Sequence, residues 1–228
     1  SDLQSGFLVS NLGGSAQGKA ELGRSTGIAL WYHPTLPKRY AFLAAGPRGV
    51  GVVDVSDPAA PELVKVFEPI KIEDGKVGHA DGRAVDVQVA GALAYFTYDS
   101  FGIVCYEVAD LIEALPPDVD PTKIWKVQGG VVLFDYRPEA VGRFKLQTVP
   151  GYADVDGGAL NFIQRQDAGG LLFHVAYGTA GVATILWTEP GMPLLLDLLD
   201  TPGEAASVEE ADGRLFVADS AGGLVYFE

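Results

Sequence analysis

Apolar residues in this chain come in short runs, and Gly and Pro separate the runs. Phe42 to Ala45 is apolar, Gly46-Pro-Arg-Gly49 is dense in turn formers, and Val50 to Val55 is apolar again. Asp57-Pro-Ala-Ala-Pro61 makes the next turn, ahead of Leu63-Val64. Arg83 to Ala90 alternates, with Val85, Val87 and Val89 on one face and Asp86 and Gln88 on the other. A period of two marks a strand whose faces meet different surroundings. Breakers where the chain must reverse, and β-branched residues where it must extend, predict a succession of strand, turn and strand.

The unit recurs. Aligned on Gly49, the pattern returns around Gly102 (Tyr95 to Asp110), Gly181 (His174 to Pro193) and Gly223 (Phe216 to Glu228). Asp54 is matched by Glu107, Val55 by Val108 and Asp57 by Asp110, and residues 189–193 overlay residues 57–61 without a gap. The aligned glycines are 53, 79 and 42 residues apart. A β-rich unit recurring every roughly 40–50 residues suits propeller blades of about four strands.

Strands are predicted over Thr26 to Tyr32, Tyr40 to Ala45, Val50 to Val55 and Leu63 to Phe67, then over Arg83 to Ala90, Leu93 to Tyr98 and Ile103 to Val108. Ile70 to Asp81 reads as a charged loop between them. Residues 110–158 break the pattern. Asp110 to Leu115 predicts a short helix with Asp110 as its N-cap, stopped by Pro116-Pro117. Thr122 to Val127, Val131 to Tyr136 and Arg143 to Val149 read as a degenerate blade, in preference to an extended outer strand with an excursion off the disc. A regular blade follows from Ala159 to Leu198, and Ala205 to Phe227 holds three strands of a last one. The expectation is a single all-β domain over 1–228, a β-propeller of four to five blades. Because Glu228 aligns with Asp54, the last copy stops before its outer strand. An open apolar sheet edge invites aggregation, so Phe7 to Asn11 is expected beside Leu224 to Phe227, closing the ring. The alternative is a fragment of a larger propeller.

Val52-Val-Asp-Val-Ser-Asp-Pro-Ala-Ala-Pro61 resembles the signature of the LVIVD-repeat β-propeller family. Gly82 to Phe96 and Asp200 to Asp219 are similar to the inner and second strands of that repeat. The resemblance covers roughly two thirds of the chain and departs at 110–160. It implies the fold. Since members are mostly surface or secreted proteins, it also implies an extracellular, cell-surface or periplasmic location.

Composition narrows the partners. Sixteen basic residues stand against 30 acidic ones, a formal charge of −14. Such a field repels phosphate backbones and anionic lipid, so nucleic acid is excluded as a partner and a basic patch is favoured. No run of 18 apolar residues is long enough to insert in a membrane. No signal peptide is visible, and the start at Ser1 fits a mature product. The lone Cys105 lies in an apolar strand and reads as a small buried hydrophobe.

Catalytic signatures are sparse. There is no Gly-x-Ser-x-Gly, and Gly46 to Gly51 is a hairpin turn rather than a phosphate loop, because no helix follows it. His33, His79 and His174 would make a metal site only by converging, and His174 aligns with the core-type positions Phe42 and Phe216. The metal candidates are His79, Asp81, Glu73, Asp74, Asp154 and Asp156, with calcium the candidate ion and no other cofactor expected. Asp86, Gln88 and Glu209 are expected to line the channel. Tryptophans and tyrosines such as Trp31, Trp125, Trp187, Tyr106 and Tyr136 read as packing between blades rather than a ligand platform. The leading expectation is a non-enzymatic binding or scaffold module that presents loops to a protein or polysaccharide. A metal-assisted hydrolase or lyase at the channel mouth and a structural subunit of a surface assembly are the alternatives.

Overall fold

The computed structural model describes residues 25–73, 76–79, 82–188 and 191–228, with the side chains at 70–77 and 79 outside that description. The protein is all-β and built from antiparallel meanders. The first sheet runs β1 (Gly27–Tyr32), β2 (Arg39–Ala44), β3 (Val50–Asp54) and β4 (Glu62–Phe67), paired in that order. A hairpin, β5 (Ile70–Glu73) and β6 (Lys76–His79), leads to the second sheet. That sheet holds β7 (Ala84–Ala90), β8 (Leu93–Tyr98) and β9 (Gly102–Glu107). Its fourth strand arrives only after an insertion made of α1 (Val108–Ile112) and the hairpin β10 (Trp125–Gln128) and β11 (Val131–Asp135). Then β12 (Ala140–Phe144) pairs with β9. The third sheet is β13 (Asn161–Asp167), β14 (Gly170–Ala176), β15 (Val182–Trp187) and β16 (Pro193–Leu199). The fourth has three strands among the described residues, β17 (Ala205–Ala211), β18 (Arg214–Asp219) and β19 (Gly223–Phe227).

The sheets repeat in detail. The aligned turn glycines Gly49, Gly102, Gly181 and Gly223 all hold positive φ, at 77°, 85°, 84° and 73°. In the first three sheets the register slips by one residue in the outermost pair, at Val52/Val53, Ala140/Gly142 and Thr184/Ile185. A bulge at that point adds twist to the outer edge. Three residues before the turn glycine, each of the first three sheets touches the start of the next. Gly46 bridges Ala84, Gly178 bridges Ala205, and the Asp99 carbonyl lies where a side chain at Gly158 would begin.

Three cores lie between consecutive sheets, and a smaller one of Ala41, Val53 and Val66 lies on the first sheet. Phe42, Val52 and Phe67 pack with Phe96, Val104 and Tyr106. Tyr95, Ile103 and Cys105 pack with Phe162, Phe173 and Trp187. Ala176 and Val182 pack with Ala205, Val208 and Val217. Neighbouring residues of β8 serve different cores, Tyr95 one and Phe96 the other, so this strand is buried on both faces. Cys105 is fully buried, and burial pushes its thiol pKa up to about 12.

Three expectations are corrected. Ile70 to Asp81 is not a plain loop, since β5 and β6 pair within it; Ile70, Ile72 and Val77 carry a strand alternation that the surrounding charges hide. The helix starts at Val108 rather than after Asp110, and Glu107 at its N-cap makes no side-chain capping bond. Docking sets its position: Val108 and Leu111 are buried, and the buried Lys65 ammonium donates to the Asp110 carbonyl at 2.9 Å. The degenerate blade is an outer strand plus an excursion, because β12 completes the second sheet while β10 and β11, among the described residues, form a separate two-stranded sheet. The strand expected over Phe7 to Asn11 lies outside the described residues.

A Cβ at Gly102 would run into the Phe144 carbonyl, whereas at Gly223 it would meet no described atom within 4 Å. Both positions carry left-handed strain of about 1–2 kcal/mol for alanine. Gly102→Ala adds an overpacking cost of about 1–3 kcal/mol. Thermal melts should therefore show a larger fall in Tm for Gly102→Ala than for Gly223→Ala, and equal falls would contradict the repeat geometry.

Candidate functional site

The first strands of the second, third and fourth sheets carry a polar line. Asn161 on β13 is its hub: Nδ2 donates to Asp86 Oδ2 at 2.8 Å, and Oδ1 accepts from Ser207 Oγ and from the Val208 N–H, both at 3.0 Å. Asp86 Oδ1 also accepts from the Val87 N–H at 2.8 Å. Gln88 Nε2 donates to the Phe162 carbonyl, and Gln164 Nε2 donates back to the Val89 carbonyl at 2.9 Å. The line therefore stitches β7, β13 and β17 side by side. Burial raises the Asp86 pKa above the usual carboxylate value; hydrogen bonds from Val87, Phe162 and Asn161 oppose the rise and the charge of Glu209 adds to it. On the first sheet the matching place is Gly27, where a Cβ would fall 2.7 Å from Asp86 Cα. Of the three residues expected in a channel, Asp86 and Gln88 are thus tied up in joining strands, while Glu209 on β17 is exposed.

Of the six metal candidates, Asp154 and Asp156 are the ones whose side chains are described. Among the described residues no group of three His, Cys, Asp or Glu side chains could share an ion. Glu73 and His79 sit on β5 and β6 with side chains outside the description, and Asp74 and Asp81 lie outside the described residues. Asp154 is exposed. Asp156 Oδ1 accepts from the Gly157 N–H at 3.0 Å, and its carbonyl accepts from Thr179 Oγ1 at 2.7 Å, which is turn chemistry. His33 Nδ1 accepts from the N–H groups of Thr35 and Leu36 at 3.2 and 3.1 Å. His174 is buried on β14, sharing a hydrogen bond of 3.1 Å with Thr184.

A cleft of about 540 Å³ opens between the first two sheets and the base of the β10–β11 hairpin. Phe67, Phe101 and Tyr106 form its walls, and Arg137 and Arg143 reach into it. The two arginines differ. Arg137, with a side chain 6 % exposed, lies 3.8 Å over the Trp125 ring. Its Nε and Nη2 donate to the two oxygens of Asp135 at 2.8 and 2.5 Å, and Nη1 donates to the Glu68 carbonyl at 3.2 Å. It staples the hairpin to the end of β4. Arg143, on β12, lies flat on Phe101 with Cζ 3.3 Å from the ring centroid, and the residue stays exposed. Among the described residues it has no hydrogen-bond acceptor and no carboxylate partner. Partial desolvation lowers its pKa from the usual value, with the Tyr177 and Tyr106 hydroxyls opposing the shift. Neither arginine stands out in the sequence. The available signal was a cation inside the apolar run Val141-Gly-Arg-Phe144 of an acidic chain.

Tyr98, Tyr106, Tyr177 and Trp187 pack inside, as expected, while Tyr32 and Tyr136 are exposed. The LVIVD repeat model matches residues 38–68, which span β2 to β4 of the first sheet. LVIVD repeats are associated with β-propeller-like folds. Among solved structures, the chain is similar to the computationally designed Ika4 protein at 9 % identity, over 98 % of each chain, with a TM-score of 0.50. The designed Ika8 protein matches at 8 % identity over 89 % of this chain and 70 % of its own, with a TM-score of 0.33. No curated protein matches the chain in sequence.

His174 occupies the repeat position held by Phe42, Tyr95 and Phe216. Its Nε2 is buried without a hydrogen-bond partner among the described residues, and burial lowers its pKa. The unfolded state therefore binds the proton more readily than the folded one. Stability contributed by the neutral ring is present above pH 6.5 and is lost as pH falls through the depressed value. His174→Phe should be within about 1 kcal/mol of the parent at pH 8. Denaturant melts below pH 6 should show the variant gaining on the parent; parallel pH profiles would refute this reading.

Proposed function

From a chain that carries an LVIVD repeat at residues 38–68, we propose a four-bladed β-propeller that works as a non-enzymatic binding module outside the cytoplasm. Its ring is closed by residues 7–11 beside β19. It presents loops to a protein or polysaccharide partner bearing a basic patch. The observation that carries this reading is the repeated joint: the residue three before Gly49, Gly102 and Gly181 meets the start of the next sheet each time, by a backbone bridge at Gly46 and Gly178 and by close approach at Asp99. Repetition of one step sets equivalent turns along one rim, and a row of matched turns on a rigid scaffold is a recognition surface. The charge of −14 supports a cationic partner, because the summed field speeds encounter with opposite charge and repels like charge.

The full chain, immobilised, should retain chitosan or a lysine-rich polypeptide in low salt and release it as salt screens the field, on a Debye length of about 8 Å at physiological strength. It should not retain dextran or polygalacturonate. Equal retention of the neutral polymer, or retention of none, would overturn the partner class. Ring closure has its own measurement: removing residues 1–24 should lower Tm by at least about 5 °C by baring the edge of β19. An unchanged Tm would dismiss closure and leave the partner class standing.

A further inference from the structure

We propose that the cleft between the first two sheets binds a small aromatic oxyanion, a carboxylate or phosphate monoester on a planar body, with Arg143 holding the oxygens. This goes beyond the rim contact described above and does not depend on it. The chain's treatment of its other cleft arginine is the starting point. Arg137 is buried: three of its five guanidinium N–H donors go to Asp135 and the Glu68 carbonyl, and it lies over the Trp125 ring. Its charge is cancelled where it stands. Arg143 rests on Phe101, yet its N–H donors have no partner among the described residues. A guanidinium stacked through its face keeps its donors in its own plane, as a fork that matches the two oxygens of a carboxylate or phosphate. The stacking fixes the fork in place, so little freedom is lost when an anion arrives.

The surroundings select the rest of the ligand. The cleft volume of about 540 Å³ falls in the range of small-molecule sites, roughly 300–1,000 Å³. Phe67 and Tyr106 meet edge to face at 5.5 Å and offer an aromatic wall beside Arg143. Planar bodies pack there by offset or edge contacts. Two carboxylates line the cleft. Asp135 is engaged with Arg137, and Glu139 is exposed at the lip with no ion pair among the described residues. Glu139 weakens the positive field at the entrance, which favours a compact anion seated inside over a polyanion passing across.

The test uses the full chain and four probes: benzoate, phenyl phosphate, benzamide and inorganic phosphate, titrated by NMR. Benzoate or phenyl phosphate should bind at least about tenfold more tightly than benzamide and than inorganic phosphate, the size of one charge-assisted contact. Arg143→Met, with a cooperative melt as proof of folding, should lose at least about tenfold in aromatic-anion affinity. Glu139→Gln, an exposed change that leaves the walls intact, should tighten binding about twofold to threefold by removing a like charge. Equal affinity for benzamide shows an apolar cleft without an anion seat and overturns the proposal. So do binding of inorganic phosphate as tightly as phenyl phosphate, full affinity in Arg143→Met, or unchanged affinity in Glu139→Gln.

Discussion

Backbone contact between successive sheets is the constraint on which this molecule rests. The Ala84 N–H donates to the Gly46 carbonyl at 2.9 Å. Gly178 and Ala205 exchange two such bonds, at 3.1 and 2.9 Å. At the middle joint Gly158 lies so close to the Asp99 carbonyl that no side chain fits. These contacts fix where the next sheet begins before any side chain is considered. A joint made of main chain carries little sequence information.

Once the joints are set, packing follows. A sheet with neighbours on both sides must be apolar on both faces, and β8 and β14 are. Polar groups that remain on the first strands have no solvent on one side, so they bond to each other: Asp86, Asn161 and Ser207 form a line rather than a cluster of free carboxylates. The insertion has the opposite effect. By delaying β12, it lets the β10–β11 hairpin fold against the end of β4, and the cleft forms where hairpin and sheets fail to fill the space.

Much of this was legible in the chain. Turn glycines with positive φ announce themselves by spacing, because only glycine meets that backbone at little cost, and all four aligned positions hold it. Strand pairing in the first, third and fourth sheets followed from runs and breakers. The second sheet resisted, since the partner of β9 lies beyond an insertion and nothing local marks which later strand it will take. Charge concealed β5 and β6, because Lys71 and Lys76 interrupt what is still an apolar alternation. The cleft was beyond sequence reading altogether. Arg143 and Phe101 are far apart along the chain and meet only because β12 returns to β9.

Cys105 sits opposite Tyr95 in the second sheet, sealed in the core shared with the third. Burial raises its pKa and keeps it a thiol at neutral pH, and no reagent reaches it while the stack is shut. Capture by an alkylating agent therefore requires that this core be opened. The molecule carries its own clock for that event, wound by a single sulfur atom.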